Sequence, residues 1–167
     1  MRPQLAILLL VLGSMAGCKK DEQPGPAVNG GVPWMEYVAV SSDTAFIMAP
    51  NVITPNADGI NDQFLVIGRH VSSMQCTVLD AAGEVAFSSQ SLQPVWSDVD
   101  ATDSGTYRVF VSATTFSGVP LTAQSYLYVM VYDANLCLPF TGTPVTSDQL
   151  DPRILGVTYT TNDIFCP

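Results

Sequence analysis

Apolar residues in this chain come in short runs bounded by Gly, Asp, Asn and Ser clusters, with no helical period of comparable length. Runs at 35–40 and 44–48 precede a dense polar turn and a run at 64–67 leaves it. Others follow at 74–79, 85–87, 106–111 and 126–132. Within 107–111, Tyr107, Val109 and Val111 share one face; in the last run Leu127, Val129 and Val131 oppose Tyr126, Tyr128 and Tyr132. About seven short strands at this spacing predict an all-β fold, an immunoglobulin-like antiparallel β-sandwich. Trp96 is the expected large core residue.

The polar turn holds Pro50, Asn51, Val52, Ile53, Thr54, Pro55, Asn56, Ala57, Asp58, Gly59, Ile60, Asn61, Asp62 and Gln63. Pro55 fixes φ, Gly59 permits positive φ, and the Asn and Asp side chains can bond nearby backbone, so the loop can be rigid without regular structure. Oxygens of Asn56, Asp58, the Ile60 carbonyl and Asp62 recur at the spacing that lets a short loop curl around calcium. An EF-hand would want acids where Thr54 and Leu65 stand, so the pattern is only half met. The competing reading is a hydrogen-bonded Asx loop that needs no ion.

Length, 167 residues with 47% hydrophobic and 13% charged, suits one domain with a core of its own. The start changes the picture: Met1, Arg2 and the apolar run 5–12 form a secretory signal too short to span a membrane comfortably. It ends in Met15-Ala16-Gly17-Cys18, which resembles the bacterial lipobox and predicts acylation of Cys18, the competing reading being ordinary secretory cleavage near Ala16-Gly17. Several acyl chains would anchor the protein stably without a span, each buried methylene adding about 0.8 kcal/mol. Lys19-Lys20-Asp21-Glu22 resemble the short signal that sends lipoproteins to the outer face of the outer membrane in Bacteroidetes, and read equally as a solvated charge cluster. Residues 23–31, rich in Pro and Gly, form a tether. The organisation expected is a signal at 1–17, acylated Cys18 and tether to 31, a sandwich over 32–132, and an extension over 133–167.

Asn51, Thr54, Pro55, Asn56, Asp58, Gly59, Asn61 and Asp62 resemble the signature PNxFTPNGDGxND that opens the gliding-motility-associated C-terminal domain, the type B sorting domain of type IX secretion cargo. Ile53 replaces its aromatic and Ala57 its first glycine. Cys76 to Asp80, Gly83 to Phe87, Val95-Trp96-Ser97-Asp98 and Ser104-Gly105-Thr106-Tyr107 follow in the family's order, and 126–132 matches its last strand. The resemblance implies the same immunoglobulin-like sandwich, a signal read at its end, and passage through type IX secretion. A family domain ends at its last strand, whereas here residues 133–167 continue, holding Cys137, Cys166 and a strand candidate at 154–160. In an exported protein Cys137 and Cys166 most simply form a disulfide that pins the tail to the sandwich. Cys76, flanked at period two by Met74 and Val78, reads as a free buried thiol.

Catalysis finds little support. His70 is the sole histidine and reads as a surface-loop residue, no nucleophile-elbow pattern accompanies it, and the cysteines lack paired zinc spacing. Loss of Arg2 with the signal leaves five basic residues against fifteen acidic, about −10, which disfavours nucleic acid and anionic headgroups as ligands. The expected protein is a non-enzymatic envelope module without a cofactor, calcium at the polar loop excepted. It is anchored by lipid at the outer membrane and displayed at the cell surface, the periplasmic face being the alternative. It would present loops and edges to an unidentified protein or glycan. The rivals are an accessory of the type IX secretion or gliding machinery and a calcium-dependent glycan binder resting on Trp34, Trp96 and the tyrosines.

Overall fold

The computed structural model describes residues 34–42, 44–131, 137–149 and 163–167. The signal, Cys18, the tether and the strand candidate at 154–160 lie outside the described residues. The fold is the expected all-β sandwich. Its strands are β1 (Trp34–Met35), β2 (Val38–Ser42), β3 (Ala45–Ala49), β4 (Val52–Ile53), β5 (Phe64–Leu65), β6 (Ile67–Arg69), β7 (Val71–Leu79), β8 (Val85–Ser89), β9 (Val95–Trp96), β10 (Gly105–Thr115) and β11 (Pro120–Val129). One sheet runs β1-β11-β10-β7-β8 with β4 also on β11, a second runs β2-β3-β6, and β5 pairs β9. Pairing is antiparallel except for β1 and β4, which lie parallel to β11.

Alternation along the strands builds the core. On β10, Val109, Val111 and Ala113 point inward, and on β11, Leu121, Ala123, Leu127 and Val129 do so. They meet Val38, Ala45, Ile47 and Ala49 of the smaller sheet in one continuous cluster. Trp96 is buried as expected, stacked on Phe87 and edge-on to Tyr107 at centroid distances of 6.0 and 5.4 Å. Tyr107 donates its hydroxyl to the Asp103 carbonyl at 2.7 Å, which locks the turn that opens β10.

Three expected strands differ. The run at 35–40 breaks at residues 36–37 and feeds two sheets: β1 joins β11 and β2 joins β3. The run at 64–67 breaks at Val66, whose N–H goes to the Pro94 carbonyl, so β5 pairs β9 and β6 pairs β3. The last strand begins at Pro120 rather than Tyr126 and ends at Val129, leaving Val131 exposed rather than facing inward with Leu127. The hairpin to β10 pairs Thr114 with Pro120, and that partner decides where β11 starts.

Candidate functional site

The polar loop closes on itself. Asp62 Oδ1 accepts the N–H groups of Asn56 and Ala57 at 2.9 and 2.7 Å, and its Oδ2 accepts that of Gly59 at 2.6 Å. Asp58 Oδ1 takes Ile60 N–H at 2.8 Å and Asn56 Oδ1 takes Asp58 N–H at 2.9 Å, while Asn56 Nδ2 donates to Asp58 Oδ2 at 3.2 Å. Such bonds need left-handed backbone at three positions, Ala57 (φ 64°), Gly59 (φ 86°) and Asn61 (φ 53°). Side-chain oxygens of three members of the calcium set, Asn56, Asp58 and Asp62, thus accept bonds from the loop's own donors. No group of three His, Cys, Asp or Glu among the described residues is placed to hold a metal.

Asn51, Thr54 and Asn61 point the other way, into the protein, with exposures of 0, 0 and 2%. Their partners lie in the C-terminal extension. Asn51 Nδ2 donates to the Thr143 carbonyl at 3.0 Å and its Oδ1 accepts Val145 N–H at 2.7 Å, while Asn51 N–H bonds the Val145 carbonyl at 2.9 Å. Val52 and Thr146 form a parallel bridge, so β4 lies between β11 and the tail. Thr54 Oγ1 and Asn61 Nδ2 both donate to Asp163 Oδ2 at 2.9 Å, and Asn61 N–H reaches Asp148 Oδ2 at 3.1 Å. Glu36 Oε1 accepts the Thr143 N–H, and a Cβ at the neighbouring Gly142 would come within 2.9 Å of that oxygen, so a larger residue there would push the Glu36 side chain aside. The Asp148 carboxyl titrates above its ordinary value because it is desolvated and faces Asp163, Asp58 and Asp62, although the Asn61 N–H pulls it down.

Cys137 and Cys166 are bonded as expected, but the bridge does not pin the tail to the sandwich. Both cysteines belong to the tail, and the bond closes it into a ring. Leu138 N–H to the Ile164 carbonyl and Cys166 N–H to the Leu138 carbonyl zip the same junction. The ring is held against the sandwich by the hydrogen bonds at Glu36, Asn51, Thr54 and Asn61 and by Phe140, which packs edge-on to Tyr128 at a centroid distance of 5.0 Å. Cys76 is free and fully buried, its thiol pushed up to about 12 by desolvation. His70 is exposed beside Thr44, whose Oγ1 lies 2.9 Å from Nδ1. Pro55 is half-buried at the loop's entrance.

Of the aromatics the glycan reading used, Trp96 is buried in the core, while Tyr126 and Tyr128 line a groove of about 240 Å³ with Phe140 of the tail. Residues that sequence reasoning missed, Asp148, Asp163, Thr143 and Val145, meet their partners across separations of 87 to 109 residues. No periodic signal reports such a contact.

A family model described as CHU_C Type IX secretion signal domain matches residues 47–136. The chain belongs to this family. The match opens at Ile47 on β3, includes the polar loop, and stops just before Cys137. The signature side chains of this type IX signal domain are therefore contacted by residues outside the matched region. Membership makes the chain a type IX secretion-related protein, secreted or at the cell surface. Among the described residues no helix is long and apolar enough to cross a membrane. No curated protein matches. Among solved structures the chain is similar to the crystal structure of CopC from Methylosinus trichosporium OB3b, at 9% identity and a TM-score of 0.39, covering 58% of this chain and 96% of that one.

Proposed function

We propose that this protein is a non-enzymatic interaction module of the cell envelope, anchored by lipid at Cys18 and displayed outside, which keeps the sorting-domain sandwich as a scaffold. The observation that carries this reading is the inward orientation of Asn51, Thr54 and Asn61 and their coverage by the tail. A surface that a partner or a substrate reads must be presented, and these side chains face the protein's own extension. The groups left outward are loops and edges. The β10–β11 hairpin tip carries Phe116 at 74% exposure, and β8 forms a sheet edge with Val85 at 59%. Exposed aromatic tips and open edges are where a β-sandwich meets partners.

Photocrosslinking from Phe116 and Val85 on intact cells tests the reading. Adducts to envelope proteins, lost in Phe116→Ser, are the expected result; no adducts from either position would overturn it. Family membership favours a second reading, an accessory of the type IX apparatus, and adducts confined to components of that apparatus would select it. Lipid labelling of the mature chain should vanish in Cys18→Ala. Replacing Lys20, Asp21 and Glu22 with alanine should shield the domain from protease added outside the cells.

A further inference from the structure

We propose that the edge of β4, with Asn51, Thr54 and Asn61, is a strand-acceptor site that reads peptide backbone and a carboxylate. Residues 137–167 are a detachable ligand for it, so the partner it fits is the tail of a second copy of this chain. This goes beyond the envelope role above: the covered side chains stay closed to unrelated envelope partners and open only by exchange of one tail for an identical one.

The site is built for backbone. The Asn51 amide presents one donor and one acceptor, and it sets them against Thr143 C=O and Val145 N–H as a neighbouring peptide group would. Its own N–H takes the Val145 carbonyl, and the Val52–Thr146 bridge continues the pairing in parallel. The Thr143 side chain is exposed and that of Val145 half-buried, so the bonds to Asn51 come from the main chain of these two residues, while the Thr146 side chain is buried at the bridge. Pro144 between them restricts Thr143 to extended conformations, which prepares the segment for strand addition.

The second element is a buried two-donor notch. Thr54 Oγ1–H and Asn61 Nδ2–H converge on a single oxygen of Asp163, a residue 8% exposed. Two neutral donors on one carboxylate oxygen give charge-assisted bonds that a carboxamide would reproduce poorly. The occupant also brings its own closure. Because the Cys137–Cys166 bond lies entirely inside the tail, it holds Asp163 in place relative to Leu138 without tying the tail to the sandwich. The tail therefore carries its own fold constraint and its own recognition groups. Seating the tail exchanges water on these three polar side chains for matched protein partners, so an identical tail can refill the site with every donor and acceptor satisfied.

The test uses the full mature chain with a protease site placed within residues 132–136. After cleavage, a fluorescent synthetic peptide of residues 137–167, oxidised at Cys137 and Cys166, is added and exchange is followed by anisotropy. The expected result is stoichiometric uptake by the nicked chain. A nicked chain that releases its tail and binds no peptide overturns the proposal. Peptide variants leave the sandwich untouched. N-methylation of the Val145 amide should weaken binding about thirtyfold or more and Asp163→Asn about tenfold, whereas Thr143→Ala with Val145→Ala should stay within about threefold. The reverse order, with side-chain truncation abolishing uptake and N-methylation tolerated, would show a surface that does not read backbone.

Discussion

Replacing Asn51 by alanine removes a side chain with 0% exposure that makes two bonds to one extended segment. Each lost bond costs about 1 kcal/mol net, and a partner left buried without water costs about 1–3 kcal/mol. With Thr143 C=O and Val145 N–H both stranded, the loss comes to about 3 kcal/mol. It has a ceiling: once it exceeds the free energy that docks the tail, the tail lifts and its groups hydrate, and nothing further is lost. The signature of the mechanism is therefore local. Amide exchange at Val145 and Asp148 should accelerate by about a hundredfold, while Val109 and Val111, central in the large sheet, should keep their protection. Asn51→Asp sharpens the argument, because it keeps the acceptor for Val145 N–H and turns the donor into a second oxygen facing the Thr143 carbonyl. At neutral pH it should be at least as damaging as alanine, and it should recover as acid protonates the new carboxyl. Wild-type exchange rates in the tail of Asn51→Ala, or an Asn51→Asp chain as stable as wild type at neutral pH, would refute the reasoning.

Asp62→Ala should destabilise the domain by about 1–3 kcal/mol by freeing three loop N–H groups, with the same melting shift in calcium and in chelator; calcium-dependent stabilisation of the wild type alone would show that the loop takes an ion. Ala57→Gly should raise the melting temperature by the equivalent of about 0.5–1 kcal/mol, since Ala57 sits at φ 64°, where a Cβ is strained. Asp148 carries a raised value, so its contribution is fully present below the ordinary 3.8 and is lost as pH rises through its folded value. Asp148→Asn, which still offers Asn61 N–H an oxygen, should flatten that acid-side dependence and raise the melting temperature at neutral pH. Serine at both Cys137 and Cys166 opens a loop of about thirty residues, about 3–4 kcal/mol in the chain-entropy model, and limited proteolysis should then cut the tail first while the sandwich persists.

Where a segment's environment repeats with its own period, the chain could be read directly. β10 alternates from Val109 to Thr115 as its side chains do, and Trp96, Cys76 and the Cys137–Cys166 pair stand where local chemistry alone would place them. Val66 shows the limit: it is apolar within an apolar run, and only the distant Pro94 carbonyl breaks the strand there. Glu36 breaks the first run for a related reason, its carboxylate being turned to the tail amide of Thr143. The signature was legible as a rigid loop because Asp58 and Asp62 bond within a few residues of themselves. Its inward half was not legible, since what Asn51, Thr54 and Asn61 bind lies 87 to 109 residues later in the chain.

The burial of Cys76 bears on how the mature bridge is chosen. In an oxidising compartment an unfolded chain offers Cys76, Cys137 and Cys166 to one another, and mispairing with Cys76 would tie β7 to the tail. Once β7 is enclosed between β8 and β10, the Cys76 sulfur has no exposure and a pKa of about 12, so it presents almost no thiolate to an oxidant. Folding of the sandwich thus acts as a proofreading step for oxidation, withdrawing Cys76 from competition for Cys137 and Cys166. A chain oxidised while still unfolded should yield scrambled bridges that a chain oxidised after folding does not.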